Sequence, residues 1–97
     1  MRLVLVPLAL AELRDAANFY AISADLDLGL AFVAEFERTA NFILANPEIG
    51  AAYRSAQRRY RLRRFPYSIV YQIAGQDLRV IAVAHQGRRP GYWAGRK

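Results

Sequence analysis

The sequence predicts an α+β fold of order β-α-α-β-β-β, a helical hairpin packed on a three- to four-stranded, mostly antiparallel sheet. Three observations predict it. Apolar residues recur at helical spacing through the first half of the chain. After Gly50 the period drops to two. Between these segments lie the residues that break regular structure, among them Asn46-Pro47 and Ala74-Gly75-Gln76-Asp77. At 97 residues the chain accommodates one domain, 1–97. A domain of that size buries roughly 60–65% of its unfolded surface, enough for a core without covalent staples.

Arg2 to Val6 reads as a short strand rich in Leu and Val. Pro7 suits the first turn of a helix, where its missing N–H costs nothing. Leu10, Leu13, Ala17, Tyr20 and Ala24 then keep helical spacing, with Glu12 and Asp15 on other faces. Asp25 or Asp27 caps a second helix. Its stripe is Leu28, Phe32, Phe36, Ala40 and Ile43, and Asn46-Pro47 stops it. The short connection makes the two helices an antiparallel hairpin.

In the second half, Tyr60 and Leu62 alternate with Arg59, Arg61 and Arg63, which places three arginines on one open sheet face. Arg64-Phe65-Pro66 is a connection. Tyr67 to Ile73 is a strand, with Tyr67, Ile69, Tyr71 and Ile73 on one face and Ser68, Val70 and Gln72 on the other. Leu78 to His85 is the last strand, apolar on both faces apart from Arg79 and His85, as suits a covered position. These last three strands form a meander. The pattern leaves the place of the first strand open.

Composition narrows the function classes. The apolar fraction of 55% opposes disorder. With no cysteine, disulfides and thiolate metal sites are excluded, and a reducing cytoplasm is the expected compartment. No run approaches the roughly 18 apolar residues of a membrane span, so no membrane partner is expected. The apolar start has no cleavage signal and runs into Glu12 and Asp15, unlike a signal peptide. The net charge of +6 is unevenly spread. Residues 1–50 set three arginines against seven acids, net −4, and residues 51–97 set eleven basic residues against Asp77, net +10. Nearly all of that excess is arginine, whose fork suits phosphate or carboxylate, so an anionic partner is expected.

The candidate chemistry lies in the tail His85-Gln86-Gly87-Arg88-Arg89-Pro90-Gly91-Tyr92-Trp93. His85 is the sole histidine, so it builds no metal site, and no metal or cofactor is expected. It can act as general acid or base, or simply end a strand. Arg88 and Arg89 can stabilise phosphate charge, or form a solvated turn. Tyr92 and Trp93 can stack on a base, or fold back over the sheet. Arg59, Arg61 and Arg63 join this tail in one basic surface if their strands lie close. No phosphate loop, dinucleotide fingerprint or nucleophile elbow is present.

The ordered pieces resemble the RelE/ParE superfamily of bacterial type II toxin–antitoxin toxins. The matching residues are Ala11-Glu12-Leu13 with Phe19-Tyr20, then Gly29 with Phe32 and Glu35, then Asn46-Pro47-x-x-Gly50. Arg63-Arg64-Phe65-Pro66-Tyr67 with Tyr71 follows, and Ala82-Val83-Ala84-His85 runs into Arg89-Pro90-Gly91-Tyr92-Trp93. The resemblance covers nearly the whole chain.

It implies a cytoplasmic toxin neutralised by a cognate acidic antitoxin. Two activities come with it. ParE-like members inhibit DNA gyrase without chemistry of their own. RelE-like members cleave mRNA on the ribosome as metal-independent endoribonucleases. For a nuclease the matching catalytic set is Arg61, His85, Arg89 and Tyr92, with Arg59 beside Arg61 on the second of the expected strands. Contacts to nucleic acid or another target fall to Arg59, Arg63, Arg64, Arg88 and Trp93. Nucleases of the superfamily carry an arginine just after the aromatic that opens the third strand, and here Ser68 follows Tyr67, leaving Arg64 as the substitute. Glu48 and His85 are loose analogues of a helix-borne base and a terminal histidine. The chain ends soon after Trp93, without the added C-terminal helix of some RelE-like nucleases. The balance favours the ParE side. A non-toxic nucleic-acid-binding module is the third reading.

Overall fold

A computed structural model of the chain describes residues 1–96; Lys97, the last residue of the predicted domain, lies outside them. Strand β1 (Arg2–Leu5) leads into helices α1 (Pro7–Ser23) and α2 (Leu26–Ala45). Then come β2 (Ala51–Ala52), a 3-10 turn at Arg54–Ala56, β3 (Gln57–Arg61), β4 (Tyr67–Ala74) and β5 (Asp77–His85). The strands form one sheet in the order β1-β5-β4-β3-β2. All neighbours are antiparallel except β1, which lies parallel to β5 at the edge. There are five strands where three or four were expected. The additional one, β2, pairs only Ala51 with Arg59 and Ala52 with Arg58, and two alanines carry no alternation to read.

β1 is short for a local reason. Its pairing with β5 ends at Leu5 opposite Val80, and one further bond runs from Val6 N–H to the Val80 carbonyl at 3.0 Å. Pro7 then has no N–H to give and starts the helix. From Ile81 onward β5 therefore has no strand on that side. Its register against β4 also slips there: Val70 faces Ala82 and Tyr71 faces Val80, with Ile81 the extra residue.

Asp25 rather than Asp27 caps α2, accepting from Leu28 N–H at 2.8 Å. The helices cross closely at Gly29. A Cβ there would lie 2.7 Å from the Ala17 carbonyl oxygen and 3.0 Å from the Ala21 Cβ, so only glycine fits without parting them. The α2 stripe of Phe32, Phe36, Ala40 and Ile43 is buried, as are Leu78 to Ala84 of β5 apart from Arg79. The Phe32 ring meets both Phe65 and Tyr67 at centroid distances of 5.0 Å, and Tyr20 joins Phe65 at the same separation. Each such ring contributes about 1.5–3 kcal/mol on burial.

The pattern Asn46-Pro47-x-x-Gly50 has a physical reading. The buried Tyr71 hydroxyl donates to the Pro47 carbonyl at 2.7 Å and accepts from Gly50 N–H at 3.0 Å. A Cβ at Gly50 would sit 2.8 Å from that oxygen. Arg58 completes the joint, donating to the carbonyls of Glu48 (3.1 Å) and Gly50 (2.9 Å).

Two expectations are corrected. The strand read around 59–63 runs instead over Gln57–Arg61. Phe65 turns into the core, Arg64 N–H binds the buried Glu35 carboxylate at 2.8 Å, and Leu62 N–H closes onto the Tyr67 carbonyl at 2.9 Å. The chain has therefore left the sheet before Arg63. The second correction concerns the face opposite the helices, which was expected to be open. Gln57, Ser68 and Val70 are buried, because the C-terminal segment folds back over them.

Candidate target-binding surface

After β5 the chain reverses in a series of tight turns. Gln86 N–H donates to the Pro66 carbonyl at 2.8 Å, and Arg88 N–H to the His85 carbonyl at 3.1 Å. Further turns close from Tyr92 N–H to Arg89, from Ala94 N–H to Gly91 and from Arg96 N–H to Trp93. Trp93 is thereby laid on the sheet and is 2% exposed. Its Nε1 donates to Gln57 Oε1 at 3.1 Å, the Tyr53 ring lies 5.5 Å away, and the Arg59 guanidinium sits 5.9 Å over its own ring. Gln57 and Arg59 project from the face of β3 opposite Tyr60, which meets Phe42 of α2. The tail thus covers the sheet face that the helices leave.

Tyr92 takes the other side of the edge. Its hydroxyl donates to Glu12 Oε2 at 2.6 Å. Glu12, on α1, also accepts from Val83 N–H at 3.0 Å and from both terminal nitrogens of Arg96 at 2.8 and 3.1 Å. Arg96 donates as well to the Ile81 carbonyl at 3.2 Å. These are backbone groups of β5 beyond the end of β1. A carboxylate and a guanidinium stand where a neighbouring strand would have bonded, which also blunts the edge. The Tyr92 ring is flanked by Arg88 at 4.0 Å and Arg96 at 5.1 Å. Burial and then the Glu12 carboxylate raise the Tyr92 pKa above that of an ordinary phenol.

A model of the "ParE toxin of type II toxin–antitoxin system, parDE" family matches residues 3–90. The chain belongs to the ParE toxin family. It is the toxin of a type II toxin–antitoxin system, ParE-like, with an antitoxin as partner. The RelE-like alternative is not favoured. Among solved structures, a chain of the chromosomal ParDE toxin–antitoxin system from P. aeruginosa has the same fold, with a TM-score of 0.78 at 19% identity. The alignment covers 88% of this chain and 95% of that one. Among curated proteins no sequence matches.

In this ParE-family toxin the residues singled out from the sequence fall into three groups. The first lines a cavity of ≈ 230 Å³: His85, Arg88 and Tyr92, with Glu12, Asp15, Phe19 and Tyr67. His85 packs edge-on to Tyr67 at 4.9 Å, and its Nδ1 accepts from Gly87 N–H at 2.8 Å. A neutral imidazole so engaged carries its proton on Nε2 and presents a donor.

The second group lies on the tail-covered face. Arg59 is part-buried against Trp93, and its Nε is 3.4 Å from Ser68 Oγ. Arg61 is exposed beside the tail. With the Gln86 amide oxygen turned toward it, that oxygen accepts from Arg61 Nε at 3.2 Å and from its Nη2. Arg89 is exposed at the turn between the two groups.

The third group is elsewhere. Arg63 lines a second cavity with Glu35, Arg38 and Phe42, on the α2 side, and Arg61 borders that cavity as well. The Arg64 guanidinium lies 5.4 Å over the Phe65 ring. These two do not join the tail, because the chain leaves the sheet at Arg61. Trp93, read as a contact to the target, has no face to offer, and it is the fold-back reading of the tail that describes it. Glu48 is exposed, 3.8 Å from Arg58 Nη2.

Sequence reading passed over Glu12, Arg96, Gln57 and Tyr53. Glu12 lay off the apolar stripe of α1, and its partners come 71 to 84 residues later. Among the described residues no three His, Asp or Glu side chains gather as metal ligands, and no helix is long and apolar enough to cross a membrane.

Proposed function

We propose that this toxin acts in the cytoplasm by binding DNA gyrase and blocking supercoiling, through the exposed arginines Arg61, Arg88 and Arg89 around the folded-back tail. Membership of the ParE family favours this target. The observation that carries the reading within the fold is the disposition of Tyr92. Its hydroxyl is committed to Glu12, and burial together with that carboxylate disfavours the phenolate. His85 presents a donor at Nε2, with Nδ1 occupied by Gly87. A nuclease would need a free base near the strand arginines, whereas Arg59 and Arg61 lie toward Trp93 and Gln86. Guanidiniums on an exposed turn suit recognition of carboxylate or phosphate instead.

The same charge suits an acidic antitoxin segment, so antitoxin and target compete for the basic surface in this reading. Purified toxin should inhibit supercoiling by gyrase, and replacing both Arg88 and Arg89 by Ala should weaken inhibition tenfold or more. Absence of inhibition, together with new mRNA ends mapped on translating ribosomes, would reject gyrase in favour of the nuclease.

A further inference from the structure

We infer that Glu12 and Arg96 form a clasp that fixes the tail, and that Glu12 is a positioning residue for toxicity although it belongs to the first helix. The inference rests on the reading above that Arg88 and Arg89 meet the target.

The clasp works through a chain of directional contacts rather than through bulk packing. Glu12 binds the Tyr92 hydroxyl at 2.6 Å, and the Tyr92 ring carries the Arg88 guanidinium at 4.0 Å. Arg96 grips the same carboxylate with two nitrogens and reaches β5 through the Ile81 carbonyl. Both members of this ion pair are largely shielded, at 16% and 15% side-chain exposure, so solvent screens it little. Two parallel N–H···O bonds from one guanidinium also fix direction as well as distance.

The span between anchors has little else to hold it. From Gly87 to Gly91 the described backbone bonds are tight turns within the segment itself, and the residues from His85 to Pro90 are exposed. Its fixed points are Gln86 N–H on Pro66, the clasp, and Trp93 on Gln57. Loss of the clasp leaves the Tyr92 ring, and Arg88 stacked on it, held only by the edge-on contact with Trp93 at 5.2 Å, and lengthens the free arc that carries Arg89. Ordering that arc on contact would then cost conformational entropy that the docked tail has already lost.

Trp93 makes this testable, because it is the single tryptophan of the chain and is buried only while the tail is docked. Arg96→Met is the main variant, since it keeps the Glu12 bond to Val83 N–H and gives up only the Ile81 carbonyl contact at the sheet edge. Glu12→Gln is the second, and Arg96→Lys tests rescue. Each is assayed for secondary structure by circular dichroism, for acrylamide quenching of Trp93, and for growth arrest on induced expression. Arg96→Met should keep the fold, raise quenching about threefold, and lower toxicity tenfold or more. Arg96→Lys should recover most of both. Arg88→Ala with Arg89→Ala should lose toxicity with Trp93 unchanged.

The clasp is overturned if Trp93 stays protected in both Arg96→Met and Glu12→Gln. Its role in toxicity is overturned if Trp93 is freed and growth arrest persists. Full toxicity of the Arg88/Arg89 double variant is a separate failure. It removes the reading of that loop as the contact surface, whatever Trp93 reports.

Discussion

Glu12 and Tyr92 stand eighty residues apart in sequence and 2.6 Å apart in space, the phenol donating to the carboxylate. This contact ties the helical hairpin to the end of the chain. A residue that reads in the sequence as a nuclease tyrosine is held as a strut between α1 and the tail.

Removing that hydroxyl should be felt in stability. Tyr92→Phe keeps the ring between Arg88 and Arg96 but deletes a hydrogen bond to a charged acceptor. The expected loss is about 1.5 kcal/mol, near the low end for such bonds because Arg96 remains on Glu12. Urea unfolding followed by circular dichroism measures it. An unchanged midpoint would show that Arg96 alone suffices.

Alkaline pH should loosen the fold. Tyr20, Tyr67, Tyr71 and Tyr92 all have pKa values raised, in each case first by burial. Above the ordinary phenol pKa of about 10 the unfolded chain has lost protons that the folded chain still holds. Stability is therefore full below about pH 10 and falls as pH rises beyond it. Melting temperatures taken between about pH 8 and 11 should decline at the upper end. The decline should be shallower in Tyr92→Phe, and an equal slope would contradict the assignment of that proton.

Gly29→Ala should cost about 1–3 kcal/mol, the range for overpacking. The added methyl meets the Ala17 carbonyl oxygen at 2.7 Å, a backbone atom that cannot rotate away. Thermal melting is the measurement.

Tyr71→Phe should cost about 2 kcal/mol, since it strands a buried N–H of Gly50 and the carbonyl of Pro47. Hydrogen exchange at Gly50 should speed up more than exchange in β1, which lies across the sheet. Equal effects at both places would mean global loosening instead.

Antitoxin binding should depend on salt. If an acidic segment covers the arginine surface, raising salt from about 0.05 to 0.5 M should weaken binding by tenfold or more. Calorimetry with the antitoxin's toxin-binding segment tests this. Insensitivity to salt would assign the contact to the exposed apolar residues of the hairpin, Phe19, Ile22, Leu26 and Leu30.

What the sequence determined by itself were the elements whose cause is local. The α2 stripe from Leu28 to Ile43, an aspartate cap at its start and the alternating strands followed from spacing and from single residues. So did the concentration of positive charge in the second half and the ordered motifs that carry the family. The tertiary structure decided what depends on partners far along the chain. It placed β1 beside β5, because pairing of a four-residue strand is set by the sheet it joins. It withdrew Arg63 from the basic face, because Phe65 and the Glu35–Arg64 bond pull that connection into the helices. It set Tyr92 on Glu12 and Trp93 on Gln57, because those side chains satisfy their polar atoms. Helical and strand periods report neighbours three or two residues away, but a hydrogen bond spanning eighty residues has no period to read.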